Sequence, residues 1–368
     1  MIILGIETSC DETAISVVEA KGAYADTYGG LEELSFAVLG SALHSQIEIH
    51  KEFGGVVPRL AKREHIKNLP IVYQEALRKA EMEKGNLPDG EAGIEMICVT
   101  VGPGLEPALW TGIVFAKELG EGLKIPVIGT NHMMGHIASV LFSNKLESKK
   151  AQVENKVEFP ALALLISGGH TELVLLNSWI DKKKIGETVD DAVGEAFDKV
   201  ARMLGLPYPG GPEISALAEQ ARQENIQMEI KLPRPMLHSK DLNFSFSGLK
   251  TAVLYYLRSL GAISQVQQKE IAREFEDAVI ETLVTKTKKA IEEHTPKTLI
   301  IGGGVIANKA LRENFLNLNR DYPDLKILIP EKSLTTDNAT MIAAAGYIEY
   351  LQNGLKEKEL KAEGNLDI

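Results

Sequence analysis

The 368-residue chain predicts an α/β fold made of two related halves, on three observations. Short apolar strands alternate with stretches of helical periodicity, the pattern of sheets layered with helices. A strand–loop–strand unit near the amino end recurs in the middle of the chain, as a duplication would leave it. The length also exceeds the roughly 250 to 300 residues past which single cores stop growing. Two packed domains are therefore expected, 1–150 and 151–368, divided at the polar, irregular stretch Asn144–Glu158.

Taken in order, Ile2–Ile6 reads as a buried strand, Glu7–Thr13 as a small polar loop and Ala14–Val18 as a second strand, together a hairpin. Lys21–Leu34 is a polar insert with no assigned role. Glu95–Thr100 is the next strand, Gly102-Pro103-Gly104-Leu105 a turn, and Pro107–Leu123 a helix. The strand Ile125–Ile128 then delivers a helix bearing His132 and His136. In the second half, Ala161–Ile166 enters Ser167-Gly168-Gly169-His170-Thr171 and continues into Leu173–Leu176, repeating the order of the first hairpin. Glu270–Glu293 has helical periodicity, and Thr298–Ile301 is a buried strand that runs into Gly302-Gly303-Gly304-Val305. A helix over Asn308–Leu316, a strand over Lys326–Ile329 and the alanine-rich helix Ala339–Tyr350 complete the pattern.

Composition narrows the functional classes. A formal net charge of −11 without an acidic tail favours solubility and disfavours non-specific nucleic-acid binding, while leaving room for a local basic patch. Cys10 and Cys98 are too few for a disulfide framework and fit a reducing cytosol. The amino end lacks a basic region before its short apolar run, and no run approaches the ~18 apolar residues of a membrane span. A cytoplasmic protein without a membrane partner is expected.

The chemistry concentrates in a few patterns. His132 and His136 are four residues apart, which puts both imidazoles on one helical face, where they can hold a divalent metal or stand as unrelated histidines. Met133 occupies the place where zinc peptidases carry their glutamate base, so peptide hydrolysis by that route is disfavoured. Asp337 suits a helix cap; placed against the two histidines it would instead complete a two-histidine, one-carboxylate set with open positions. Both hairpin loops and the triple glycine offer backbone N–H groups to a phosphate, although neither dinucleotide fingerprint nor P-loop spacing is present. Asn308 is either a helix cap or a contact to a nucleoside. Asp190, Asp191, Glu195 and Asp198 form an acidic run that reads first as a solvated face paired with Lys199 and Arg202. Arg59, Lys62, Arg63 and Lys67 form either a basic stripe for RNA or an ordinary charged face.

These blocks, GIETSCDET, HxxFGGVVPRLAKREH, GPGL, NHMMGH, LLISGGHTEL, DDAVGEAFDKVARMLGLPYPGGP, FSFSGLKTA, IGGGVIAN and TTDNATMIA, stand in one order across nearly the whole chain. The chain thereby closely resembles the TsaD family of tRNA threonylcarbamoyladenosine transferases. The resemblance implies a duplicated actin-like ATPase fold of the ASKHA, ribonuclease-H-like type, with two lobes and an active site in the cleft. It implies transfer of the threonylcarbamoyl group of threonylcarbamoyl-AMP to the N6 amine of the adenosine beside the anticodon, in tRNAs reading codons that begin with A. By the same resemblance His132, His136 and Asp337 would bind one divalent metal ion, iron before zinc. Leu165, Ile166, Ser167, Gly168, Gly169, Asp198, Gly211 and Asn308 would bind substrate as an ATP or adenylate ligand, with Asp11, Glu12 and His170 as candidates for proton movement. The implied partners are tRNA, a TsaB-type paralogue and a TsaE-type ATPase, the bacterial set rather than the archaeal kinase complex.

Three departures stand out. Ser215 replaces an aspartate common in the family, Glu106 and Trp110 stand where small or apolar residues are usual, and the Lys21–Leu34 insert is longer than expected. Two other readings share this fold: a small-molecule carbamoyltransferase or kinase, and a non-catalytic nucleotide-binding scaffold.

Overall fold

The computed structural model describes residues 1–24, 31–84, 93–142, 156–355 and 359–368, so part of the Lys21–Leu34 insert and most of Asn144–Glu158 lie outside the described residues. The chain forms two compact units, Met1–Val157 with Ser178–Ile180 and Pro330–Ile368, and Glu158–Asn177 with Asp181–Ile329. A cut at residue 150 would place Pro330–Ile368 with the second unit; its packing places it with the first.

The first unit is built on β1 (Ile2–Glu7), β2 (Glu12–Tyr24), β3 (Leu31–Ser45), β4 (Met96–Gly102) and β5 (Val127–Asn131), in the sheet order β3-β2-β1-β4-β5. β1 pairs antiparallel with β2 and parallel with β4. Strands in the parallel part are covered on both faces, which is why IILGIE and MICVTVG are nearly unbroken apolar runs. Its helices are α1 (Ile47–His50), α2 (Pro58–Lys84), α3 (Glu106–Leu123), α4 (His132–Ala138) and, from the far end of the sequence, α10 (Ala339–Asn353). Leu69, Tyr73 and Ala76 of α2 and Ile113 and Ala116 of α3 pack on Leu4, Ile6 and Val99. α10 crosses β1 so closely that a Cβ on Gly5 would lie 2.1 Å from the Ala339 carbonyl oxygen; glycine is what lets this helix settle on the strand.

The second unit repeats the plan. β6 (Ala161–Ile166), β7 (Thr171–Leu176), β8 (Lys182–Glu187), β9 (Thr298–Gly302) and β10 (Lys326–Leu328) take the order β10-β9-β6-β7-β8, so the first strand of each unit is central, with an antiparallel meander on one side and parallel strands on the other. Around this sheet lie α5 (Val193–Met203), α6 (Gly210–Gln223), α7 (Ser247–Leu260), α8 (Gln265–His294) and α9 (Lys309–Leu316). α8 starts in a reciprocal cap between Ser264 and Gln267 and buries Phe275, Val279 and Leu283 against Leu164, Leu299 and Phe315. The topology is used twice, as the hairpin echo predicts, and it is the actin-like ATPase fold that the family resemblance implies. Strands β3 and β8 escape sequence reading. β8 is KKKIGE, an edge strand whose lysines protect an exposed sheet edge and leave no apolar alternation.

Candidate metal centre and glycine-loop site

In the first unit, β5 ends in Asn131, whose side chain accepts from the Met133 and Met134 N–H groups and so starts α4. Every residue of that helix is buried. The four-residue spacing stacks His132 and His136 edge to face, ring centres 4.7 Å apart. Asp337 meets them: its Oδ1 lies 3.4 Å from Nε2 of each ring. Asp337 does not cap α10, because Asn338 does, accepting from the Met341 N–H at 3.0 Å. That leaves the carboxylate beside it for the histidines.

The three ligand atoms lie within 4.8 Å of one another. His132 Nδ1 is 2.9 Å from Oε2 of Glu7, a completely buried carboxylate that also accepts from Thr100 Oγ1 at 2.7 Å and from the Ser9 N–H. Glu7 therefore holds the His132 proton on Nδ1 and orients Nε2 toward Asp337. Both ring nitrogens of His136 are buried without a hydrogen-bond partner among the described residues. A pair of convergent imidazoles, one orphaned, the other oriented from behind by a carboxylate, with a third anionic ligand opposite, fits a divalent transition metal. Burial disfavours the charged form of His132, but the Asp337 and Glu7 carboxylates outweigh it and raise its pKa; at His136 burial prevails and the pKa falls. Burial opposes ionisation of Asp337 as well, yet the two imidazoles hold it well below the usual carboxylate range.

Asp11 and Glu12 share this unit. Asp11 is buried, and Glu12 opens β2 with Ser45 Oγ donating to it at 3.4 Å. Burial, then the negative charges of Asp11 and Asp337, push the Glu12 pKa well up.

In the second unit, Leu165 and Ile166 are fully buried strand residues, and the loop after them folds on itself. The Ser167 N–H donates to the His170 carbonyl at 2.9 Å, and the His170 N–H donates to Ser167 Oγ at 3.1 Å. Gly168 and Gly169 form the exposed tip, with open space wherever a Cβ would project. α5 begins against this loop, the Val193 N–H donating to Thr171 Oγ1 and the Gly194 N–H to the Ser167 carbonyl. Gly303, at φ +96°, brings the end of β9 so near that a Cβ would stand 2.4 Å from the Ile166 carbonyl oxygen. Asp198 accepts from the Gly210 N–H at 2.7 Å and so fixes the start of α6, where Gly211 lies in open space.

Asn308 acts as the helix cap, the first of its two expected parts. Its Oδ1 caps α9 through the Leu311 N–H, while its Nδ2 donates to Glu276 at 2.6 Å and to Ser215 at 3.2 Å. Glu276, completely buried and held by Arg222 at 2.6 Å, escaped sequence reading because a glutamate in an amphipathic helix ordinarily faces water; its only signal is the apolar spacing of Phe275, Val279 and Leu283 around it. The second unit thus gathers Leu165 to Gly169, His170, Asp198, Gly211 and Asn308, and the first gathers Asp11, Glu12 and the His132–His136–Asp337 cluster.

Other expectations resolve into structure. Asp190 accepts from the Ser245 and Ser247 hydroxyls and the Phe246 and Ser247 N–H groups, and Asp191 bridges Lys199 at 2.9 Å and Lys250 at 2.6 Å. Arg59, Lys62, Arg63 and Lys67 are exposed on α2, the last two flanking Glu64. Among the described residues no helix is long and apolar enough to cross a membrane.

A family model for TsaD, described as tRNA N6-adenosine threonylcarbamoyltransferase, matches residues 37–344. The chain is 43% identical to the tRNA N6-adenosine threonylcarbamoyltransferase of Thermosipho africanus over the full length of both. It is 44% identical to the Bacillus subtilis protein of that name, over 95% of this chain and 91% of that one. Among solved structures, HypF from T. kodakarensis matches with a TM-score of 0.54 at 11% identity, covering 95% of this chain and 48% of HypF. A full-length HypF in the phosphate- and nucleotide-bound form gives 0.54 at 12%, covering 96% and 47%. The chain spans about half of each HypF, and at such identity the likeness is one of fold.

Proposed function

The chain belongs to the TsaD family of tRNA N6-adenosine threonylcarbamoyltransferases, and from that premise we propose that it transfers a threonylcarbamoyl group from threonylcarbamoyl-AMP to the N6 amine of the adenosine beside the anticodon. The observation that carries the reading is the convergence of His132, His136 and Asp337, oriented from behind by Glu7.

These three residues would hold one divalent ion, iron before zinc, and such an ion supplies Lewis-acid polarisation of a substrate oxygen. Gly168 and Gly169, held by the Ser167–His170 turn and supported from below by buried Leu165 and Ile166, offer backbone N–H groups to the phosphate of the adenylate. Gly211 leaves room for the nucleoside at the start of α6, and Asp198 and Asn308 fix the two helix starts that frame it. In the transfer, the adenosine nitrogen forms a bond to the carbamoyl carbon. The bond from that carbon to the phosphate oxygen breaks, and AMP leaves with the electron pair. The amine proton passes to the Asp11–Glu12 pair, with His170 as the alternative acceptor. Ordering these groups before reaction is the main contribution of the protein.

Several finer readings belong to the same proposal. The exposed residues Arg59, Lys62, Arg63 and Lys67 are the candidate tRNA contact on α2, in a protein working in the cytoplasm with a TsaB-type paralogue and a TsaE-type ATPase. Replacing Arg59 and Arg63 together should weaken tRNA binding and flatten its salt dependence; unchanged affinity at several salt concentrations removes that stripe.

The central test is mass spectrometry of nucleosides from total tRNA after depletion of the protein in its own cell. Threonylcarbamoyladenosine should disappear and return with the wild-type chain but not with His132→Ala. A level that never changes would instead direct attention to a small-molecule substrate.

A further inference from the structure

A buried series of directed hydrogen bonds runs from the start of α2 to the loop bearing Asp11 and Glu12. At its outer end the Val57 N–H donates to His50 Nδ1 at 3.3 Å. A neutral His50 then carries its proton on Nε2, which donates to Gln46 Oε1 at 3.2 Å. Gln46 Nε2 faces the Ala61 carbonyl at 3.5 Å, which identifies it as the amide nitrogen, and it also faces His65 Nδ1 at 3.3 Å. Thr13 Oγ1 donates to the same Nδ1 from 2.8 Å. The ring ends on the Cys10 carbonyl, 3.0 Å from Nε2, which can only accept, so His65 also carries its proton on Nε2. A backbone donor at one end and a backbone acceptor at the other thus dictate the tautomer of both rings.

Gln46, His50 and His65 are all fully buried, and burial lowers the pKa of both imidazoles against the pull of Asp11, Glu64 and Glu7, which favours neutral rings. The Gln46 N–H meanwhile donates to the Asp11 carbonyl at 3.0 Å. Cys10, Asp11 and Thr13 are therefore each gripped by the segment 46–65, and Glu12 lies between them. This accounts for HxxFGGVVPRLAKREH, a block that the metal and glycine sites leave unexplained: His50 and His65 are its first and last residues, and the Gly54–Gly55 turn returns the chain so that Val57 meets His50.

We propose that His65 is a positioning residue for the transfer reaction, acting through the Cys10 carbonyl and the Thr13 hydroxyl to hold the Asp11–Glu12 pair in place. The inference rests on the role given above to Asp11 and Glu12.

The test uses the full chain in extracts of cells that depend on it, reading the initial rate of threonylcarbamoyladenosine formation on unmodified tRNA, with the metal content and thermal midpoint of each purified variant. His65→Leu should slow transfer about a hundredfold while metal content holds. His65→Gln, whose amide nitrogen reaches the Nε2 position, should recover to within about tenfold of wild type. In ¹⁵N-histidine spectra, the His50 and His65 signals, identified by their loss in the glutamine variants, should be those of neutral rings protonated on Nε2. A wild-type rate in His65→Leu alongside an inactive His132→Ala overturns the positioning role alone; wild-type rates in both overturn the functional reading beneath it. Equal loss in His65→Leu and His65→Gln, or rings protonated on Nδ1, also overturns the proposal. Should His65→Leu not fold, Thr13→Val carries the same test: it should lower the rate about tenfold, and an unchanged rate overturns the proposal.

Discussion

The two units share a sheet plan and differ in the loop after its central strand. In each, the first strand is central and turns back into its antiparallel neighbour, but between Glu7 and its partner Ala14 the first unit has the loop Thr8–Thr13, while between Ile166 and Thr171 the second has only Ser167–His170. The longer loop carries acids and is walled by imidazoles; the shorter one is glycine and backbone amide. Apolar strands such as IILGIE and ALALLI set where each loop begins, and a handful of loop residues decide whether that place suits a cation or an anion. A duplicated scaffold can therefore carry two different loop chemistries without changing its core.

The sharpest way to break this contrast is to remove a ligand from the first unit. His132→Ala or Asp337→Ala should reduce bound iron or zinc to background by elemental analysis and abolish transfer, with the second unit still folded by circular dichroism. Glu7→Gln keeps an acceptor for His132 Nδ1 and Thr100 but loses the charge, so metal affinity should fall roughly 10–100-fold in a competition titration while the fold persists. Retained affinity would show that Glu7 serves only the fold.

In the second unit the same logic separates glycines. Gly303→Ala puts a Cβ against the Ile166 carbonyl at a strained φ and should lower unfolding free energy by about 1–3 kcal/mol, read as the denaturant midpoint. Gly169→Ala meets open space and should leave that midpoint within about 0.5 kcal/mol, yet weaken AMP binding measured by calorimetry. A modest effect belongs to Asp191, whose burial is outweighed by Lys250 and Lys199 so that its pKa lies below the usual value. A depressed carboxylate stabilises the fold above its unfolded pKa, about 3.9, and the contribution is lost as pH falls through the lower folded value. Asp191→Asn should thus cost about 1 kcal/mol near pH 7, and the gap from wild type should close as unfolding curves are taken to more acidic pH.

Legibility followed burial. Central strands could be read because parallel strands covered on both faces leave continuous apolar runs, whereas β3 and β8 at the sheet edges left no such trace. Of the metal centre, the histidine spacing was readable, but Glu7 was not, since a carboxylate ending a strand looks like the first residue of a polar loop. Asp337 and Asn338 are equally good caps in sequence, and only the helix direction shows that Asn338 does the capping. For Asn308 the cap proved real through Oδ1, while Nδ2 turns to Glu276, a partner the sequence did not indicate.

The return of α10 to β1 also imposes an order on synthesis. His132 and His136 leave the ribosome about 200 residues before Asp337, which at roughly 5–20 residues per second is some 10 to 40 s of translation. During that interval the second unit, nearly continuous in sequence, can close on itself, while the first still lacks both the helix beneath Gly5 and its third ligand. Completion of the three-residue cluster then becomes a late event in the life of the nascent chain, and a protein cut short before residue 337 would be released with both histidines and no Asp337 to join them.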